Sequence, residues 1–266
     1  MTTLPRLRWW WTVCMTGIAL TIGVVPVAAT ALGDAAEGYR VTLVENIGQA
    51  SASVRKLREC LIAGDLDGAK AAWIAARVGW ERSEVFTSGF VPDLDREIDA
   101  WPDAVTGFHA IEAKLFGAKS TDALAETDAL AKSFVVLGDT IRVVSLTPQR
   151  LLNGIARLAY EIGDSKVDGG ESRLSGTSID DIRNNVDGIE MAYRVIFATA
   201  LATANPGLAQ AMDQQLEQTQ ILVKRGDLKS IDPARLRAAS EQLVLLLQGA
   251  ASDIGLQKPT LEEPVE

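Results

Sequence analysis

Histidine is almost missing from this chain: His109 is the only one in 266 residues. That scarcity excludes whole reaction classes. A zinc protease of the His-Glu-x-x-His type needs two histidines, and a ferritin-like di-iron centre needs a Glu-x-x-His on each of two helices. A serine triad would have to recruit His109, but no Gly-x-Ser-x-Gly elbow exists to hold its nucleophile. The glycine-rich run Asp168-Gly169-Gly170-Glu171 is not followed by Lys-Ser/Thr, so it is no phosphate cradle. Cysteine is as scarce, with Cys14 and Cys60 alone. Of four methionines, only Met191 and Met212 lie beyond the first thirty residues. Neither has a methionine partner, which disfavours a Cu(I) thioether site. Sustained period-2 alternation is absent, which leaves little room for strands.

Positive charge is also in deficit. The net charge is −9, a balance that repels nucleic acid and anionic membrane and attracts cations. Two of the basic residues, Arg6 and Arg8, open the chain ahead of an apolar run from Trp9 to Val25. Pro26 breaks the run, and Ala29-Thr30-Ala31 has the small-x-small pattern of a signal peptidase site. Residues 1–31 therefore read as a cleaved signal peptide of an exported, periplasmic protein. A membrane anchor is the alternative, since the run approaches the ~20 residues that span a bilayer. Cys14 lacks the preceding small residues of a lipoprotein cysteine. Cys60 is then left alone, in a helix-like setting that suits a buried thiol without a disulfide.

What remains is helical in period almost throughout. Leu43, Ile47, Val54, Leu57 and Leu61 share a face up to a stop at Gly64, and Asp65 caps a second helix carrying Trp73 and Trp80. A loop with Gly89, Pro92 and Pro102 follows, carrying Asp93, Asp95 and Asp99. Asp103 is placed to cap a third helix, ending at Gly117, and a fourth spans 123–144. Pro148 opens the second half, with helices over 151–162, 179–202, 208–224 and 233–251 and a polar, glycine-rich excursion over 163–178. The expected fold is all-α, with two antiparallel four-helix bundles forming a bilobed molecule with a cleft between. The lobes divide 32–255 at about residue 145, and 256–266 form a solvated tail.

The chemistry concentrates at Gly107-Phe108-His109-Ala110-Ile111-Glu112. On a helix, positions i and i+3 share a face with Cβ atoms about 5–6 Å apart, so His109 and Glu112 can grip one metal ion. Glu81 and Glu84 have the same spacing near the end of the second helix. If the two helices face one another, three carboxylates and one imidazole converge in a set that suits Fe(III), Mn(II) or Zn(II), with Cu(II) also possible. Binding needs a neutral imidazole, so affinity should fall as pH drops through ~6. The residues alone leave blander accounts open: a satisfied core histidine, and an exposed helix face on which Glu81 and Glu84 pair with Arg77 or Arg82.

Three ordered blocks narrow the choice. Gly107 to Glu112 resembles the Gly-x-His-x-x-Glu signature of the imelysin peptidase-like family, and more narrowly of its EfeO/EfeM-type members. Arg77-Val78-Gly79-Trp80-Glu81-Arg82-Ser83-Glu84 resembles that group's acidic helix. Lys166 to Thr177, continuing through Asp181 and Asn185 to Gly188, resembles its third block, from which it departs at Leu174, Gly176 and Ser178. The resemblance implies a periplasmic, two-lobed helical protein that binds a metal, chiefly iron, for an EfeUOB-type uptake system. Its partners would be a membrane permease and a peroxidase, with no nucleic acid. His109 and Glu112 match the metal motif, and Glu81 and Glu84 are expected as further ligands. Glu171, Asp181 and Asn185 are expected to line the cleft. A binding role is favoured over catalysis; the alternatives are an imelysin-type metal-dependent peptidase and an envelope interaction module with a vestigial site.

Overall fold

The computed structural model describes residues 27–101, 105–169, 172–224, 226 and 228–262. Most of the expected signal peptide therefore lies outside the described residues, as do Asp103 and Glu171. Among the described residues the fold is all-α, with no strand and no helix long and apolar enough to cross a membrane. Helix α1 (Val27–Ala63) carries Leu32, Tyr39, Leu43, Val54 and Leu57 into the core. It stops at Gly64, whose φ of +70° is the left-handed turn that glycine makes without strain. The Asp65 carboxylate then accepts from Gly68 N at 2.9 Å and starts α2 (Leu66–Glu81). Cys60 is buried and free.

The segment expected as a loop around Gly89 and Pro92 is instead two short helices, α3 (Glu84–Phe90) and α4 (Pro92–Asp99). Pro92 occupies the first helical turn, where its missing N–H costs nothing, and Asp93 and Asp95 favour the same end of the helix dipole. The central motif forms α5 (Gly107–Glu112), which runs into a π-helical turn over Ala113–Gly117. Helix α6 (Leu124–Val143) follows at the expected place.

In the second half, α7 (Pro148–Asp164) leads into a 3-10 turn over Lys166–Asp168. The long helix expected over 179–202 is α8 (Ser178–Ala192), a π turn over Tyr193–Phe197 and α9 (Ala198–Ala204). Helices α10 (Pro206–Val223) and α11 (Pro233–Asp253) complete the chain. Helix α1 packs on α2 and α6, α7 packs on α11, and α3 and α8 reach across between the two groups. The buried apolar side chains form one continuous cluster from Leu32 to Ile254. Gly188 on α8 lets that helix approach the end of α2: a Cβ there would stand 2.6 Å from Arg82 O. This approach brings residues of the second half against Glu81 and Glu84.

Candidate functional site

Helix α2 ends with a buried charge. Arg77 and Glu81 lie one turn apart, 2% and 0% exposed, and are ion-paired with each other. The exposed-face account of this acid pair is thereby excluded, although Arg77 is indeed the partner. Arg77 also pairs with Asp99 at the end of α4, and through Nη2 with Asp181 Oδ2 of α8 at 3.2 Å. A guanidinium serves three carboxylates because its planar fork presents five N–H donors in fixed directions.

The two halves of the predicted site meet through Asp99, the last residue of α4, in a segment whose glycine and prolines suggest a loop. His109 Nδ1 lies 3.1 Å from Glu112 Oε2, as the i, i+3 spacing requires, and His109 Nε2 lies 3.1 Å from Asp99 Oδ1. Glu81, Glu84 and Asp99 in turn each offer an oxygen within 4.8 Å of the other two. Asp99 thus belongs both to the histidine motif and to the acid trio. Its Oδ2 accepts from Trp80 Nε1 at 2.5 Å, which fixes the carboxylate plane.

The third block closes the other side. Ser175 donates to Glu112 Oε1 from both N and Oγ, each at 2.8 Å. Asp181 is buried and accepts from Ser172 Oγ as well as from Arg77. Asn185 Nδ2 donates to Glu81 Oε2 at 2.7 Å and to Glu84 Oε2 at 2.6 Å, while its Oδ1 is buried without a hydrogen-bond partner. Lys166, expected in a polar excursion, turns inward: Nζ is 2.9 Å from Glu84 Oε2 and 3.4 Å from Glu81 Oε2. Trp101 sets its ring edge-on to His109, with centroids 5.2 Å apart, and Arg173 lies over the Trp101 ring.

The charges set one another. Burial disfavours the His109 imidazolium, but the Asp99 charge and the hydrogen bonds to Asp99 and Glu112 outweigh it and raise the pKa to about 9. Burial likewise works against ionised Asp99, and the charges of Arg77 and His109 overcome it, holding that carboxyl well below its usual range. The same contest lowers Glu112, through His109 and Ser175. Asp181 goes the other way: burial dominates the help of Arg77 and pushes it up to about 7. The expected pH window for the imidazole is therefore corrected upward, from ~6 toward 9, because two carboxylates flank the ring.

The arrangement is an oxygen-rich cluster with one nitrogen at its edge. Hard cations prefer such a set, and Fe(III) or Mn(II) fits it better than a thiophilic ion does. Three comparisons say what the chain is similar to. The Peptidase M75 (imelysin) family profile matches residues 35–105 and 103–254. The "Iron uptake system component EfeO" of Escherichia coli O157:H7 is 29% identical over 208 residues, covering 74% of this chain and 55% of that protein. The protein of the same description from Escherichia coli strain K12 is 28% identical over 208 residues. This chain thus spans about half the length of the curated relatives it matches. A solved structure from Parabacteroides distasonis ATCC 8503, described as an iron-regulated protein A precursor, superposes with a TM-score of 0.70 at 18% identity. It covers 88% of this chain and 97% of its own, a likeness of fold.

Proposed function

The chain belongs to the imelysin family, and from that premise we propose that it is an exported iron-binding component of an uptake system. The cation is cargo, held by Glu81, Glu84 and Asp99, with His109 and Glu112 as the adjoining wall. The helices before and after residue 145 act as two lobes, and the site lies at their seam. One observation carries the reading: three carboxylate oxygens from α2, α3 and α4 stand within 4.8 Å of one another, and one of those residues also touches the lone histidine. Acids this close repel each other unless positive charge compensates them, and Arg77, Lys166 and His109 supply part of that charge. The buried, unpartnered Asn185 Oδ1 supports it further, because turning the amide would offer one more oxygen. A membrane permease and a peroxidase are the proposed partners in such a system; the likeness to an iron uptake system component supports the existence of further components.

The test is calorimetric titration with Fe(III) supplied as its nitrilotriacetate. The parent should bind it, and Glu81→Gln/Glu84→Gln should lose at least tenfold in affinity, about 1.4 kcal/mol. Equal affinity in the double variant would remove the site from consideration.

A further inference from the structure

The seat between Glu81 and Glu84 already holds a positive group of the protein's own. Lys166 is 4% exposed, and its Nζ approaches Glu84 Oε2 at 2.9 Å and Glu81 Oε2 at 3.4 Å. Those are the same two oxygens that Asn185 Nδ2 draws together. The lysine charge is also felt at Asp99, the third acid of the trio. An ammonium this deeply buried is unfavourable unless paired, so the acids hold the lysine as firmly as it holds them. A metal ion drawing on the same oxygens would stand close to the ammonium, and the two positive charges would repel across a buried, poorly screened gap. We propose that Lys166 is an internal competitor for the cation seat: it fills the empty site, is expelled when the ion loads, and returns when the ion leaves. This rests on the iron-binding reading above and adds its regulation.

The backbone around the lysine suits such a movement. Lys166 lies on a one-turn 3-10 element rather than on a helix, and the turn ends at Gly169 with φ +103°, a conformation open to glycine. Val167 anchors the turn in the apolar core, and the described contacts on either side of it are polar: Ser178 Oγ donates to Gly169 O at 2.6 Å, and Arg237 Nη2 reaches both Asp168 oxygens at 2.8 Å. The Asp168–Arg237 pair is exposed, where ion pairs contribute little. Displacing the ammonium carries a fixed cost whatever ion enters. Lys166 therefore lowers the affinity of every ion by about the same factor and leaves their ranking unchanged. Its use is reversibility, since cargo held without a competitor leaves slowly.

Two measurements test this, both with Ga(III)-nitrilotriacetate as a redox-inert stand-in for the ferric ion. In the unmodified protein, N-hydroxysuccinimidyl acetate labelling read by mass spectrometry should find Lys166 protected without Ga(III) and labelled at least several-fold faster with it. Exposed Lys229 should not change. In titrations, Lys166→Met should bind Ga(III) and Mn(II) on the order of tenfold more tightly by the same factor, while Lys166→Arg stays near the parent. Protection of Lys166 in the loaded protein overturns the proposal without any variant, as does unchanged or weaker binding by a folded Lys166→Met. Should the parent bind no Ga(III) at all, the iron-binding reading fails, and this inference with it. Binding by the parent with Lys166 still protected sinks the inference alone.

Discussion

Asp99 Oδ1 lies 3.1 Å from His109 Nε2, and the same oxygen is paired with Arg77. Through that one atom the α5 motif is joined to the acids of α2 and α3. Asp99→Asn keeps the shape but gives up the charge. It should weaken Fe(III) binding at least tenfold and also lower stability, because Arg77 and His109 then face one anion fewer. A folded Asp99→Asn that binds Fe(III)-nitrilotriacetate as the parent does would show that the ion sits elsewhere.

Stability should depend on pH in two windows of the same sign. The folded-state pKa of His109, about 9, lies above its unfolded value near 6.5. Its contribution is therefore fully present below about pH 6.5 and is lost as pH rises through 9. Asp181 is raised to about 7 by burial, so the folded protein holds a proton the unfolded chain releases near pH 4, and stability also falls between about 4 and 7. Urea midpoints for His109→Gln should decline less than the parent's between pH 6.5 and 9. Parallel curves would mean that the imidazolium has no role in the fold. Metal affinity moves oppositely, rising toward pH 9 as His109 gives up its proton.

Arg77 holds three acids at once, so its loss is not the loss of one ion pair. Arg77→Met leaves Glu81, Asp99 and Asp181 buried beside each other without the guanidinium. Removing one member of a buried charge network costs about 3–5 kcal/mol. Arg77→Lys should recover little, since an ammonium cannot serve three carboxylates as a planar fork does. Denaturant unfolding monitored by circular dichroism checks both; a Lys variant with the parent's midpoint would show that charge alone suffices.

Much of this site could be read from local spacing, and the part that could not is equally specific. His109 and Glu112 face each other because i, i+3 on a helix requires it, and the Gly64-Asp65 boundary follows from a glycine stop and an acidic cap. Asp99 escaped because Gly89, Pro92 and Pro102 punctuate the segment like a loop, whereas Pro92 begins α4. The signal was available: Pro followed by Asp93 and Asp95 is a helix start. Lys166 escaped for another reason. A lysine in a stretch rich in Gly, Ser and Asp reads as solvated, and only the meeting of residues some eighty positions apart reveals its buried partners. The pairing of Arg77 with Asp181 is of the same kind. Periodicity records which face a residue occupies, not which distant charge it meets.

Gly107 carries the final expectation, because it sets how α4 and α5 meet. Its φ is +70°, and a Cβ built there would stand 2.1 Å from Ile98 O. Ile98 immediately precedes Asp99, so any shift that relieved the clash would pull Asp99 away from His109. The left-handed conformation alone costs a non-glycine residue roughly 1–2 kcal/mol, and the backbone contact adds to that. Gly107→Ala should therefore lower the unfolding midpoint and weaken Fe(III) binding together. Gly48→Ala is the matched comparison: it lies inside α1 with nothing within 4 Å of its added Cβ. There alanine should raise stability by roughly 0.5–1 kcal/mol, the ordinary helix-interior gain over glycine, with binding unchanged. If Gly107→Ala binds iron as the parent does, the Asp99–His109 contact is not what assembles the site.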